Sequence, residues 1–126
     1  MYEPWMEKYL TKAFAEHGDF PPPWIYSPNS HPLSMGWRMG DGESYIMVFW
    51  EWWKQSNKSF EERVEYFRKW PAPPRWCGWM AETIYDVDLW DPEQEPDYSE
   101  YFTKLKELGF EGTGNFDEDF NNESYD

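Results

Sequence analysis

The chain has 126 residues, 25 acidic side chains against 11 basic ones for a formal net charge of −14, and an apolar content dominated by ten Trp, nine Tyr and nine Phe. A domain of this size buries about two-thirds of the surface its unfolded chain exposes, and rings that each remove about 150–250 Å² from water replace the scarce aliphatic residues of an ordinary core. The negative field opposes direct contact with nucleic-acid phosphates or an anionic membrane, and no apolar run approaches the roughly 20 residues of a membrane span. The N-terminus lacks a basic stretch leading into an apolar signal segment, and Cys77 has no second cysteine to pair with. The expectation is therefore a cytoplasmic protein, mature over 1–126, with no membrane or direct nucleic-acid partner.

Pro4 opens a first helix, because proline suits the first helical position; Met6, Tyr9, Leu10 and Ala13 recur at helical spacing, and His17-Gly18 closes it. Residues 19–32 contain Pro21-Pro22-Pro23, Ser27-Pro28 and His31-Pro32, which remove backbone donors and favour an ordered, non-helical crossover. The segment 43–54, ESYIMVFWEWWK, reads two ways. As a helix it is capped by Asp41 and presents Ile46, Phe49, Trp50 and Trp53 on one face; as a strand it follows the turn Gly40-Asp41-Gly42. Helical neighbours favour the helix.

Ser59 and Glu62 form a capping box ahead of Phe60, Val64 and Phe67, and Pro71-Ala72-Pro73-Pro74 ends that helix near Trp70. The next helix starts at Pro74, with Trp76, Trp79, Met80, Thr83 and Ile84 on one stripe and Glu82 facing away. A last helix spans 98–108, with Asp97 as N-cap, a stripe of Tyr101, Phe102, Leu105 and Leu108, and Gly109 just past its end. The fold class is thus mainly α: a compact, aromatic-rich bundle of four or five short helices with proline-rich connections, with a short β-hairpin near residues 35–53 as the alternative. Residues 1–110 form a single globular domain, and 111–126 an acidic, partly flexible tail.

The residue patterns argue against an enzyme. His17 and His31 have no His or Cys at zinc-ligand spacing, and Cys77 lies between Trp76 and Gly78 in an apolar stripe, where it reads as core filler. The glycines from Gly36 to Gly42 match neither a dinucleotide fingerprint nor a P-loop, and Asp86, Asp88, Asp91 and Glu93 lack the order of an EF-hand loop. No catalytic residue, metal ligand or cofactor is expected. Trp50, Trp52 and Trp53, like Trp76 and Trp79, read mainly as core at helical spacing, leaving two or three of the ten tryptophans for a surface anchor.

Charge is the informative feature. Residues 1–40, 41–90 and 91–126 carry nets of −1, −3 and −10. In the stretch 86–97, Asp91, Glu93, Glu95 and Asp97 alternate while Pro92 and Pro96 disfavour helix, so an extended course sets alternate carboxylates about 6.6 Å apart on one face. DNA carries one charge per about 3.4 Å of each strand, and a row of carboxylates on a rigid core can occupy a groove built for phosphates. The expected partner-binding residues are Asp86, Asp88, Asp91, Glu93, Glu95, Asp97 and Glu100. The expected partner is a basic, nucleic-acid-binding protein such as a defence nuclease, a CRISPR effector, or a restriction or repair enzyme. An inhibitor or decoy of this kind, phage-encoded, is the leading reading; an adaptor or immunity-type protein on a basic surface unrelated to nucleic acid is the alternative.

Glu43-Ser44 followed by Tyr45-Ile46-Met47-Val48 resembles the Glu-Ser plus apolar-strand element of uracil-DNA glycosylase inhibitors, small acidic DNA mimics of phages. The resemblance covers these six residues of the 126, implies the strand reading of this segment, and makes Glu43 and Ser44 candidate contacts.

Overall fold

The computed structural model describes residues 2–89, 93 and 97–122. Among them it is mainly helical and contains no strand. Seven α-helices are present: α1 Pro4–His17, α2 Pro23–Tyr26, α3 Gly40–Ser56, α4 Phe60–Lys69, α5 Cys77–Tyr85, α6 Ser99–Glu107 and α7 Phe116–Phe120. Single 3-10 turns at Met35–Trp37, Pro74–Trp76 and Thr113–Asn115 precede α3, α5 and α7. No helix among the described residues is long and apolar enough to cross a membrane. The chain gathers into two compact units, one within residues 2–58 and the other within 59–122, a boundary that falls inside the expected 1–110 domain. Each is described by itself.

In the first unit, α1 begins at Pro4 and ends at His17; the Gly18 N–H still donates to the Phe14 carbonyl, and its positive φ of 69° turns the chain away from the helix. The expected non-helical crossover needs correction: the last of three consecutive prolines starts α2, since a fixed φ that suits an extended run equally suits a first helical turn. The larger correction concerns 35–53. No hairpin forms there; Gly40 to Ser56 is one continuous helix, preceded by a 3-10 turn. Gly42 lies so close to the preceding turn that an added Cβ would collide with the Gly36 carbonyl, so its role is close approach within a helix rather than reversal of a strand. Asp41 does not cap α3: the N-cap is Met39, and the Asp41 carboxylate instead accepts a hydrogen bond from the Tyr9 hydroxyl at 2.6 Å.

The core of this unit is a stack of rings. Phe20 is fully buried, lies 4.9 Å from Tyr45 in a stacked arrangement, and approaches Phe49 and Trp52 at 6.2 and 5.6 Å. Tyr26 stacks on Tyr45 at 3.9 Å, and the Tyr45 hydroxyl donates to the Pro21 carbonyl, joining α3 to the proline segment. Such contacts are worth about 0.5–1.5 kcal/mol each beyond the area they bury.

In the second unit the Ser59 capping box is complete: the Ser59 side chain accepts from the Glu62 N–H, and the Glu62 carboxylate accepts from the Ser59 N–H. After the proline run the expected helix start at Pro74 is a 3-10 turn that carries the buried Trp76, and α5 begins at Cys77; of its expected stripe Met80, Thr83 and Ile84 are buried and Trp79 is half-buried, while Cys77, Gly78 and Ala81 are buried as well. Arg63 crosses from α4 to donate to the Ile84 carbonyl at 2.6 Å, closing part of the C-terminal end of α5.

The stretch from 111 contains structure that the tail reading omits. Phe116 on α7 is 9% exposed and packs edge-on against Tyr98 and Phe102 at 5.4 and 5.1 Å. Asp119 accepts from the Arg75 backbone N–H at 2.9 Å and pairs with its guanidinium at 3.4 Å, where the Arg75 side chain is 5% exposed. Apolar residues too sparse for a core of their own thus complete the core of a neighbour, and one ion pair fixes their register.

Candidate functional site

Glu82 on α5 is tied to the acidic stretch that follows it. The sequence pattern turns this residue away from the apolar stripe of α5, but its carboxylate does not simply meet water. One oxygen accepts from the Leu89 N–H at 3.2 Å and from the Tyr98 hydroxyl at 3.2 Å. Burial pushes the Glu82 carboxyl above its usual range; the two hydrogen bonds oppose that shift, and the charge of Asp88 adds to it. Burial also raises the Tyr98 hydroxyl, reinforced by the neighbouring charge of Glu82.

Tyr98 owes its place to three apolar surfaces. Its ring stacks on Phe102 at 5.3 Å, meets Phe116 edge-on, and lies flush against α5 at Gly78, where an added Cβ would come within 2.8 Å of the ring. The glycine therefore serves ring-to-helix contact. Nothing in the spacing of α5 marks Glu82 as a fastener, because its two partners lie seven and sixteen residues further along the chain.

Of the seven expected contacts the structure describes five, and all five are exposed. Asp86 follows α5 in the left-handed region at φ 54° and is exposed, as are Asp88 and Glu93. Asp97 is exposed too, but it does not cap the last helix as expected. The helix starts one residue later with Tyr98 as N-cap, and Asp97 accepts from the Ser99 N–H at 3.0 Å and the Ser99 hydroxyl at 2.6 Å. These bonds hold its carboxyl below the usual range, so it stays ionised. Glu100 pairs with Lys104 one turn on at 3.3 Å, which offsets part of its charge. Asp91 and Glu95, two of the four residues of the alternating row, lie outside the described residues.

The residues taken from the glycosylase-inhibitor resemblance are placed differently. Glu43 and Ser44 sit near the start of α3, and the Ser44 hydroxyl turns back to the Gly40 carbonyl at 3.4 Å. Because that resemblance requires a strand, the helical course of α3 removes its basis.

Other polar groups offer less. Burial, with the charge of Asp119, pushes the Cys77 thiol up to about 12, and its sulfur lies 3.8 Å from the Pro73 carbonyl, so it is a poor nucleophile at neutral pH. A cleft of about 480 Å³ in the first unit is lined by Lys8, Lys12, Glu16, Asp41, Tyr26 and Tyr45 among others, and its equal numbers of lysines and carboxylates express no preference for a ligand of either sign. Trp52 and Trp76 are buried, but the expected face of Ile46, Phe49, Trp50 and Trp53 is corrected: α3 buries Tyr45, Val48, Phe49 and Trp52, Trp53 is half-buried, and Trp50, like Trp5, is exposed, at 41% and 38%. No protein-family model, curated protein or solved structure matches this chain.

Proposed function

We propose that the protein is an acidic inhibitor or decoy that occupies the basic groove of a nucleic-acid-binding protein. The observation that carries this reading is the exposure of Asp86, Asp88, Glu93, Asp97 and Glu100 close in sequence, on either side of and between Leu89 and Tyr98, the two residues that bond to Glu82. The charge distribution supports it: residues 59–126 hold eighteen acids against six bases, a net of −12, while residues 1–58 hold seven against five, a net of −2. A net charge of about 2–8 in magnitude suffices to keep a small domain dispersed, so this excess exceeds the needs of solubility. Rim carboxylates of this kind accelerate encounter with a positive groove and exclude the phosphates that would otherwise enter it.

A second reading has its own support. Leu33, Met35, Met39 and Met47 are 43–60% exposed in the first unit, and adaptable methionine-rich surfaces suit an adaptor. Competition separates the two. The protein is used to capture partners from its native host at low and high salt, and each partner is then titrated with its own DNA or RNA. Mutually exclusive binding that weakens with salt is expected of the decoy. A partner that holds this protein and its nucleic acid together, with neither affinity changed, overturns that reading and favours the adaptor.

A further inference from the structure

We infer that α3 carries a docking face for a second copy of this chain, which packs antiparallel across Met47 and Trp50 and joins Glu43 of each copy to Lys54 of the other. The inference is independent of the reading of the acidic stretch. Glu43, Met47, Trp50 and Lys54 are all exposed, and their spacing places them on one side of the helix within an arc of about 60°. That side is distinct from the one on which α3 buries Tyr45, Val48, Phe49 and Trp52. From Glu43 to Lys54 the stripe drifts only about 20° around the axis over about 16 Å, so a second helix can follow it from end to end.

The order of charges identifies the occupant. The stripe runs acid, methionine, tryptophan, base, and a reversed second copy sets each residue opposite its complement: Glu43 meets Lys54, and Met47 meets Trp50. The spacings are symmetric about the middle of the stripe, so one two-fold axis satisfies all four pairs at once, as an isologous interface requires. The side chains of Glu43 and Lys54 make no ion pair or hydrogen bond among the described residues, which leaves both charges to the partner copy. The Trp50 ring meets the buried Phe49 edge-on at 5.3 Å, so it is held against the core before a partner arrives. A fixed tryptophan facing an adaptable methionine is the kind of contact that anchors small interfaces. Residues 1–58, to which α3 belongs, carry a net of only −2, so repulsion between copies is weakest in this half of the chain. Four side chains from each copy bury less than the roughly 800 Å² per partner of a standard interface, and the dimer is therefore weak, with Kd between about 1 μM and 1 mM.

Sedimentation equilibrium of the full chain, taken to about 1 mM protein to cover that range, is expected to show reversible dimerisation. Glu43→Lys and Lys54→Glu change the net charge in opposite directions, yet each sets like charges together at both ends of the face and should weaken the dimer by about tenfold or more. The double variant Glu43→Lys/Lys54→Glu exchanges the signs and should return to within about threefold of the native affinity. An equal mixture of the two single variants should form a heterodimer more readily than either variant dimerises alone. Trp50→Ala should weaken association by about tenfold or more. All four side chains are exposed, so these variants should keep the native circular-dichroism spectrum. A native protein that stays monomeric throughout overturns the inference and leaves Met47 and Trp50 to a foreign partner. A dimer that survives Trp50→Ala overturns it as well, because association then uses another surface. So do single variants rescued neither by the double exchange nor by mixing, since the antiparallel register is then wrong.

Discussion

The two units solve the problem of an acidic, ring-rich chain in different ways. Residues 2–58 are nearly balanced in charge and carry eight of the nine large apolar side chains exposed among the described residues; 59–122 carry the remaining one, Phe60. In the first unit rings meet rings, with Phe20 against Tyr45, Phe49 and Trp52, and the long-range polar bonds come from tyrosine hydroxyls on the same rings, Tyr9 to Asp41 and Tyr45 to Pro21. In the second, apolar packing is accompanied by long-range polar fasteners: Arg63 to Ile84, Arg75 to Asp119, and Glu82 to Leu89 and Tyr98. The contrast has a physical cause. A segment of strong like charge gains little from non-directional burial alone, because its carboxylates must remain hydrated, so directional bonds decide where it runs.

The sharpest way to break this comparison is to remove one ring from each core. Phe20→Ala should cost about 3–5 kcal/mol, because a fully buried phenylalanine leaves a cavity bounded by other rings. Phe116→Ala should fall near the lower end of that range, at about 3 kcal/mol, since α7 is a short peripheral helix. Chemical denaturation of both variants checks the order. A negligible cost for Phe116→Ala would return the segment after 110 to the status of a dispensable tail.

The next effect tests a fastener. Asp119→Ala removes an acceptor from both the backbone and the guanidinium of Arg75, leaving a charge in a site where its side chain is 5% exposed. A loss of roughly 2–3 kcal/mol is expected, below the 3–5 found for fully buried pairs because Asp119 itself is partly exposed. Thermal denaturation measures it. A loss below about 0.5 kcal/mol would show that the ring contacts alone hold α7.

Charge then distinguishes the units in function. Replacing Asp86, Asp88, Glu93, Asp97 and Glu100 by their amides should leave the circular-dichroism spectrum unchanged and slow association with oligolysine by about tenfold at low salt. Replacing Glu3, Glu7 and Glu43 in the first unit should change the rate by less than about twofold. Because the Debye length falls from about 10 Å at 0.1 M salt to about 3 Å at 1 M, the difference between the two sets should vanish as salt is raised. Equal effects from both sets at low salt would show that net charge, not its location, governs encounter.

The smallest effect is a pH dependence at Glu82. Its carboxyl is raised in the folded protein, chiefly by burial, so its favourable contribution is fully present below the unfolded value of about 4.3 and is lost as pH rises through the higher folded value. Glu82→Gln removes this dependence. The variant should therefore gain slightly on the native protein at pH 7, with the gain disappearing near pH 4, as thermal melts at the two values will show. A variant that loses stability equally at both pH values would mean that the amide cannot replace the carboxylate as acceptor.

Features carried by a few neighbouring residues were legible in the sequence. Pro4 and Gly18 bound α1, the Ser59–Glu62 capping box starts α4, the proline run stops it, and Met80, Thr83 and Ile84 of the α5 stripe are buried. Each depends on backbone donors, φ angles or periodicity within a turn or two. The segment 40–56 was ambiguous because a short apolar run satisfies both periods, and the close contact at Gly42 belongs to the helix. The acidic candidates were visible as composition, yet the bonds of Glu82 to Leu89 and Tyr98 were not, since its pattern is that of any solvent-facing residue.

By itself, then, the sequence determined a mainly helical chain with aromatic cores and a charge concentrated towards its C-terminal half, because helix propensity, capping and net charge are local or additive properties. Only the tertiary structure decided that Glu82 meets both Leu89 and Tyr98, that Gly78 admits the Tyr98 ring, and that Asp119 reaches Arg75 across 44 residues. Those contacts depend on how separate helices are brought together, and a hydrogen bond or ring contact forms only when both partners arrive within a few ångströms in the right orientation.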